Sequence, residues 1–295
     1  RLYTSGARPQ ARLPVPVVVV GNLTVGGTGK TPLVAWIARF LRERGWRPAV
    51  IARGYRGAAR RWPQPVGPGS DPRLVGDEPV LLARQLGGTV VAGPDRPAAA
   101  RMALARGTCD VILSDDGLQA LALARDVEVA VLDGERRLGN GRCLPAGPLR
   151  ERPGRLATVD LVVTRGEAGP GELAMHYRPG NPRNLADDQR EVPIASLADR
   201  PLHAVAGIGN PQAFFGQLRA LGLSPIEHPF PDHHRFSAKD LAFADDLPVL
   251  MTEKDAVKCR GLAQGDAWYL PIEAVPEPAF GERLLALLSR GARDG

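Results

Sequence analysis

The chain has 295 residues, 44% hydrophobic and 24% charged, and a formal net charge of +6. These values exclude a disordered chain and favour one large or two medium domains, each able to bury a core without metals or disulfides. The basic balance favours anionic partners, yet no lysine-rich block or aromatic stripe points to nucleic acid, and no apolar run approaches the roughly 20 residues of a spanning helix.

Only four of the 38 basic residues are lysines, Lys30, Lys239, Lys254 and Lys258, so each is a mild hint that a compact ammonium is wanted there. Cys109, Cys143 and Cys259 lie far apart with no CxxC or Cys/His spacing, which argues against a disulfide framework or a zinc site and for a reducing compartment.

In chain order, the apolar runs "VPVVVV", "PAVIA", "TVVAG", "DVILSDD", "VEVAVLD" and "VDLVVT" have strand length and are bounded by Gly and Pro. Helical patterns such as Pro32 to Arg44 and Glu78 to Leu86 separate them. The alternation predicts an α/β fold, a P-loop NTPase-like doubly wound, mostly parallel sheet. The pattern dissolves into Pro, Gly, Asn and acidic residues between 166 and 198, then resumes with strands at 203–206, 248–252 and 268–272. This predicts a first domain over 1–170, a second, smaller α/β domain over 171–295, and a boundary within about 165–200. In a doubly wound sheet the chemistry is expected beyond the carboxyl ends of the strands.

The first run ends in Gly26-Gly27-Thr28-Gly29-Lys30-Thr31 and a helical pattern follows at once. Backbone N–H groups and the positive end of a helix can cradle phosphates at such a joint. The stretch Thr24, Val25, Gly26, Gly27, Thr28, Gly29, Lys30 and Thr31 is therefore expected to bind a nucleoside triphosphate. Lys30 would reach the β and γ phosphates and the Thr31 hydroxyl would hold Mg²⁺. Thr24 stands where a strict P-loop has glycine, so the loop is of the deviant kind that keeps GGxGKT. Asp115 and Asp116 close the strand "VILSDD", and at least one is expected to bind Mg²⁺ directly or through water. The nearest approach to a guanine-reading motif, Thr252-Glu253-Lys254-Asp255, has the wrong spacing, so ATP is the expected nucleotide.

The ordered strings "PVVVVGNLTVGGTGKTPLV", "ARGYRG", "VGDEPVLLA", "SDDGLQ", "GNGRCLPAGPLRE", "FPDHHRF" and "MTEKDAVK" resemble the tetraacyldisaccharide 4'-kinase family of lipid A biosynthesis across residues 13–260. The resemblance implies ATP-dependent phosphorylation of the 4'-hydroxyl of a tetraacylated glucosamine disaccharide 1-phosphate. It places that work at the cytoplasmic face of the inner membrane, by a peripheral protein expected to act as a monomer. From spacing alone, Asp77 in "GDEP" would cap a helix. The resemblance instead makes it the group that takes the proton of the attacking hydroxyl, with His233 of "DHH" pairing with it and tuning its basicity. His234 is the weaker candidate for that part.

Arg53 and Arg56 of "ARGYRG", Gln119, Asn140, and Arg150 of "GPLRE" are carried over as candidates for the substrate's phosphate or sugar; an arginine fork suits phosphate oxygens. Glu253, Lys254 and Asp255 either line the adenine side of the cleft or begin a helix with an acidic first turn. Two departures matter. Ala120 stands where the family usually has histidine, and most of the family's N-terminal amphipathic membrane segment is expected to be missing ahead of Leu13. A regulatory deviant P-loop ATPase of the partitioning or sorting kind is the alternative; such proteins carry a lysine before the paired glycines, where this chain has Val25. A kinase of a soluble sugar or nucleoside would share the mechanism and differ in acceptor.

Overall fold

A computed structural model describes residues 9–263 and 265–291. Its elements in chain order are β1 (Val17–Gly21), α1 (Lys30–Arg42), β2 (Pro48–Ala52), β3 (Gln64–Val66), α2 (Pro72–Val75), α3 (Asp77–Leu86), β4 (Val90–Ala92), α4 (Arg96–Ala105), β5 (Val111–Asp115), β6 (Val127–Asp133), β7 (Leu161–Arg165) and β8 (Leu173–Pro179). Then follow β9 (Arg183–Asn184), β10 (Leu202–Ala206), α5 (Pro211–Ala220), β11 (Pro225–Pro229), β12 (Val249–Thr252), α6 (Glu253–Cys259), β13 (Ala267–Leu270), β14 (Ile272–Pro276) and α7 (Pro278–Gly291). The described residues divide into two compact units, one formed by those up to Tyr177 together with those from Ala274 onward, the other by those from Arg178 to Glu273.

The first unit holds a nine-stranded sheet in the order β14-β8-β7-β6-β1-β5-β2-β4-β3. Every residue of β1, β2 and β5 is buried, as expected of strands covered on both faces, and their β-branched side chains suit the pleat. Neighbours from β4 through β2, β5, β1 and β6 to β7 run parallel, and β3 is antiparallel to β4. Because β2, β5, β1 and β6 are consecutive and parallel, their carboxyl ends lie side by side. The order reverses at β1, the position where such sheets leave a crevice.

Helix α1 buries Leu33, Val34, Ile37, Ala38 and Leu41, a 3.6-residue stripe. Pro32 sits in its first turn, where a missing N–H costs nothing, and Gly45, with φ +83°, follows its end. On another side of α1, Trp36 stacks on Phe40 at 4.7 Å and meets Phe280 of α7 at 5.6 Å. Phe280, Leu284 and Leu288 of α7 are all fully buried, each contributing about 2 kcal/mol.

The second unit is a five-stranded sheet in the order β11-β10-β12-β13-β9, parallel except for β9. Along β10 the side chains alternate. Leu202, Ala204 and Ala206 join Phe214, Phe215 and Leu218 of α5, whereas Val205 joins Met251, Ala256 and Cys259.

The division differs from the one expected over 171–295. Within the stretch that reads as a linker, "LAMHYRP" forms β8, burying Leu173 and Met175 alternately. The last strand and helix return to the first unit, β14 beside β8 and Phe280 against Trp36. A strand period of two is hard to see in a segment this short and this rich in polar residues.

Candidate functional site

The glycine loop occupies the predicted joint between β1 and α1. Gly26 and Gly29 have φ of +95° and +99°, values natural only to glycine, and Gly29 is the residue preceding the first turn of α1. The segment "GPLRE" lies beside the start of the loop: Val25 N–H donates to the Pro148 carbonyl at 2.9 Å, and Arg150 N–H to that of Leu23 at 2.6 Å. Thr24 bridges Leu149 in the same register. Asn22, fully buried, donates from its amide to the Gly26 carbonyl at 3.4 Å and braces the loop from below. The buried Thr28 hydroxyl has no hydrogen-bond partner in the protein, as suits a loop built to meet a ligand.

Lys30 and Thr31 open α1 and face the end of β5. The Thr31 hydroxyl donates to Asp115 Oδ2 at 2.9 Å, and Lys30 Nζ is 3.5 Å from Asp116 Oδ1. The two aspartates sit in opposite electrostatic settings. Burial, with the charges of Glu78 and Asp116, pushes the Asp115 carboxyl up to about 7, which Lys30 and the Thr31 bond offset only in part. Burial also opposes ionisation of Asp116, but Lys30, Arg150 and Arg96 outweigh it and hold that carboxyl below its usual range.

Asp115 Oδ1 is buried without a hydrogen-bond partner beside the Thr31 hydroxyl. Hard oxygens of this kind suit Mg²⁺, and an uncompensated carboxylate is what such a cation would neutralise. Among the described residues no group of three or more His, Cys, Asp or Glu forms a closed cage. Mg²⁺ habitually takes one or two protein carboxylates and completes its shell with phosphate and water.

Arg150 Nη1 donates to Asp116 Oδ1 at 2.9 Å and to Gln119 Oε1 at 3.3 Å. Gln119 Nε2 in turn donates to Glu151 Oε1 at 2.7 Å and to the Asn22 carbonyl at 3.2 Å. The structure thus gathers Lys30, Thr31, Asp115, Asp116, Gln119 and Arg150 into one network. Asn140 lies apart, closing its own loop: its amide donates to the Ala146 carbonyl at 2.9 Å and its oxygen accepts from Arg142 N–H at 3.1 Å.

Arg96 belongs to the network although its sequence setting, "GPDRP", reads only as a helix start. It is 3% exposed and donates to the carbonyls of Gly93 at 2.7 Å and Asp115 at 2.9 Å. Burial lowers its guanidinium to about 10 against the opposing pull of Asp115 and Asp116. Glu78, whose charge reaches Asp115, was likewise hidden beside the more conspicuous Asp77. On the other side of the loop, Arg136 donates to the Gly27 carbonyl at 2.5 Å, with Asp133 of the β6 end next to it. Ala120 lines an open cleft of about 530 Å³ with Arg96, Arg101 and Gln119.

Asp77 is the first residue of α3 and is buried; Gly76 holds the cap position, and Asp77 Oδ1 accepts from the first-turn Glu78 N–H at 3.2 Å. Gly76 has φ +91°, and a Cβ there would stand 2.9 Å from the Tyr55 carbonyl. That close approach sets the "ARGYRG" loop against the start of α3. Arg53 and Arg56 are exposed on the loop, their guanidiniums 6.0 and 5.7 Å from the centre of the Tyr55 ring, and Arg56 itself has φ +58°.

In the second unit His233 has φ +60°, donates its N–H to the Gly207 carbonyl at 3.3 Å, and places Nε2 3.6 Å from Asp232. His234 is held differently, stacked on Phe230 at 4.7 Å, edge-on to Phe236 at 4.8 Å, and 3.4 Å from Asp240. Lys254 Nζ is 3.7 Å from Asp232, so the "TEKD" helix start adjoins the histidine loop. Thr252 caps α6, and Asp255 is fully buried, accepting from the Thr252 hydroxyl at 2.6 Å and Gly207 N–H at 2.8 Å. Of the two readings of this string, the helix start with an acidic first turn describes Asp255.

The chain is similar to known proteins in both sequence and fold. A family model described as Tetraacyldisaccharide-1-P 4'-kinase matches residues 1–289. A tetraacyldisaccharide 4'-kinase of Nitrosococcus oceani is 55% identical over 99% of this chain and 86% of its own length. One of Alkalilimnicola ehrlichii is 56% identical over 98% and 87%. The fold is similar to that of the "apo" form of LpxK from Aquifex aeolicus, crystallised in complex with ATP, with a TM-score of 0.81 at 30% identity over 97% of this chain and 93% of that one.

Proposed function

The chain belongs to the tetraacyldisaccharide 4'-kinase family of lipid A biosynthesis, and from that premise we propose how its own residues carry the reaction. The enzyme is a kinase that phosphorylates the 4'-hydroxyl of a tetraacylated glucosamine disaccharide 1-phosphate, with ATP as donor. The family match favours this over a regulatory P-loop ATPase, as does Val25 in place of that group's lysine.

The loop from Thr24 to Thr31 receives the triphosphate, its N–H groups and the start of α1 facing the phosphates. Lys30 neutralises charge on the β and γ phosphates. Asp115, with its orphan oxygen, and the Thr31 hydroxyl would hold Mg²⁺, which would supply neutralising charge for the phosphates. Asp116 is the less suitable direct ligand, because Lys30 and Arg150 already occupy it. Its part is to hold the Lys30 ammonium at the mouth of the loop.

On the acceptor side, Asp77 takes the proton of the 4'-hydroxyl as that oxygen attacks the γ phosphorus, and the bond from γ phosphorus to the bridging oxygen breaks to release ADP. The transition state is loose, so positioning and charge neutralisation supply most of the acceleration. Arg53 and Arg56 contact the acceptor's phosphate or sugar, Arg150 and Gln119 support it through the network at Asp116, and Asn140 shapes the loop beside them. His233 assists the proton transfer, and His234 is structural. The acceptor is an acylated lipid, so we place the enzyme at the cytoplasmic face of the inner membrane as a peripheral monomer. No helix among the described residues is long and apolar enough to cross a membrane.

The observation that carries this reading is the joining of Lys30, Thr31, Asp115, Asp116 and Arg150 at the mouth of the glycine loop. Incubation with Mg-ATP and the acylated disaccharide 1-phosphate in neutral detergent tests it. Lipid-dependent ADP release with phosphate on the 4'-oxygen is expected; ADP release indifferent to the lipid, or phosphate transferred to a soluble sugar instead, overturns it.

A further inference from the structure

The acceptor side of the first unit is bordered by a surface that extends beyond Arg53 and Arg56, the two arginines assigned to the acceptor. The loop from Arg53 to Arg61 and the short helix α2 are joined by backbone hydrogen bonds, Ala58 N–H to the Arg73 carbonyl at 2.9 Å and Ala59 N–H to that of Leu74 at 3.0 Å. Two of the few large apolar side chains exposed among the described residues lie on this pair of segments, Tyr55 at 47% and Leu74 at 49%. Arg53, Arg56, Arg60, Arg61 and Arg73 are also exposed there; neither segment carries an acid, and Asp71, the cap residue just ahead of α2, is already bound to Arg73 at 2.8 Å. Five guanidiniums against one carboxylate make this a strongly positive patch with an aromatic and an aliphatic side chain in its midst.

We infer that this face, Arg53–Arg61 with Arg73 and Leu74, docks the enzyme on an anionic lipid surface beside the acceptor site. The inference rests on the lipid-kinase reading above and adds to it the surface that meets the bilayer. Its occupant follows from charge and polarity together. Arginines near an anionic bilayer are attracted to its negative potential, tyrosine is at home at the interface, and an exposed leucine gains by entering the acyl boundary. Nucleic acid would reward the arginines but not Leu74.

Position supports the same partner. The Tyr55 carbonyl packs against Gly76, the residue before Asp77, so a bilayer resting on Tyr55 and Leu74 lies at the rim of the group that must receive a lipid-borne hydroxyl. An acceptor still anchored by its acyl chains then needs to rise only a short way out of the headgroup layer.

The test uses the whole chain and Arg60→Ser/Arg61→Ser, with Leu74→Ser added in a second variant; none of these residues is assigned a part in catalysis. Co-sedimentation with vesicles of phosphatidylethanolamine and phosphatidylglycerol is compared with pure phosphatidylcholine. Each arginine near the surface is worth about five-fold in partitioning, so the double variant should bind the anionic vesicles about 25-fold more weakly and the triple variant more weakly still. Binding should fall with salt, and Arg60→Lys/Arg61→Lys should retain it. Turnover of the substrate in neutral detergent should stay at the parent level, which shows that the variants fold and that the kinase reading stands apart from this one. Undiminished vesicle binding by the triple variant, or equal binding to the neutral vesicles, overturns the inference. So does a preference of the patch for a single-stranded oligonucleotide over the vesicles.

Discussion

The two units are built alike and arrange their polar groups differently. Each is a largely parallel sheet with apolar side chains on both faces. At the carboxyl ends of the first sheet, charged groups from distant parts of the chain are wired to one another. Thr31 reaches Asp115, and Lys30 and Arg150 both reach Asp116. In the second unit the histidine loop is held mostly by near neighbours, His233 by Asp232 and His234 by Asp240. Strand order therefore creates the first site, whereas turns create the second, and substitutions should couple strongly in one and weakly in the other.

The largest effects belong to the first unit. Lys30→Ala and Asp77→Ala should each lower kcat by at least about 100-fold, as removal of a charge or a proton acceptor used in the transition state does. A near-normal rate in Asp77→Ala moves the base elsewhere. Arg150→Ala should lose about 10-fold by releasing Asp116. Combined with Lys30→Ala it should lose less than the product of the two, because both act on that carboxylate. A fully multiplicative loss would separate the network into independent parts. His233→Ala should cost about 10-fold, with His234→Ala showing up chiefly in thermal stability. If His234→Ala alone loses the activity, the histidines exchange roles.

The smallest effect concerns pH and the second unit. His228 Nε2 lies 2.9 Å from His203 Nδ1, and His203 Nε2 lies 2.8 Å from Asp245. Burial, and then His203, lowers the His228 value below its ordinary 6.5. As the pH falls through 6.5 toward that lowered value, the unfolded chain binds more protons than the folded one, so stability is present above 6.5 and declines below it. His228→Gln should flatten this decline in melting temperature. An unchanged slope in His228→Gln would place the titration in another group.

Much of the first site was legible because each part is a local pattern. A glycine loop between a strand and a helix, or two aspartates ending an apolar run, needs no knowledge of the rest of the chain. What could not be read is what depends on strand order. Arg96 opens a helix far from "VILSDD" in sequence, and only the neighbouring of β4, β2 and β5 turns its guanidinium onto the Asp115 carbonyl. The sequence offers Gln119 and Arg150 as substrate contacts, and the fold also gives them each other and Asp116. Asn140 offered an amide in a loop, and whether it faces inward or outward is decided by backbone turns that the residue types do not specify. The return of β14 and α7 to the first unit was hidden for a related reason: an amphipathic helix shows that it has a partner, not which one.

That return bears on how the protein is made. Trp36 and Phe40 leave the ribosome first, on the helix that starts at the phosphate loop, while Phe280 follows about 240 residues later. At ordinary translation speed the interval is on the order of ten seconds to a minute. During it, one aromatic side of the nascent helix lacks its eventual cover and is open to a chaperone or to a neighbouring nascent chain.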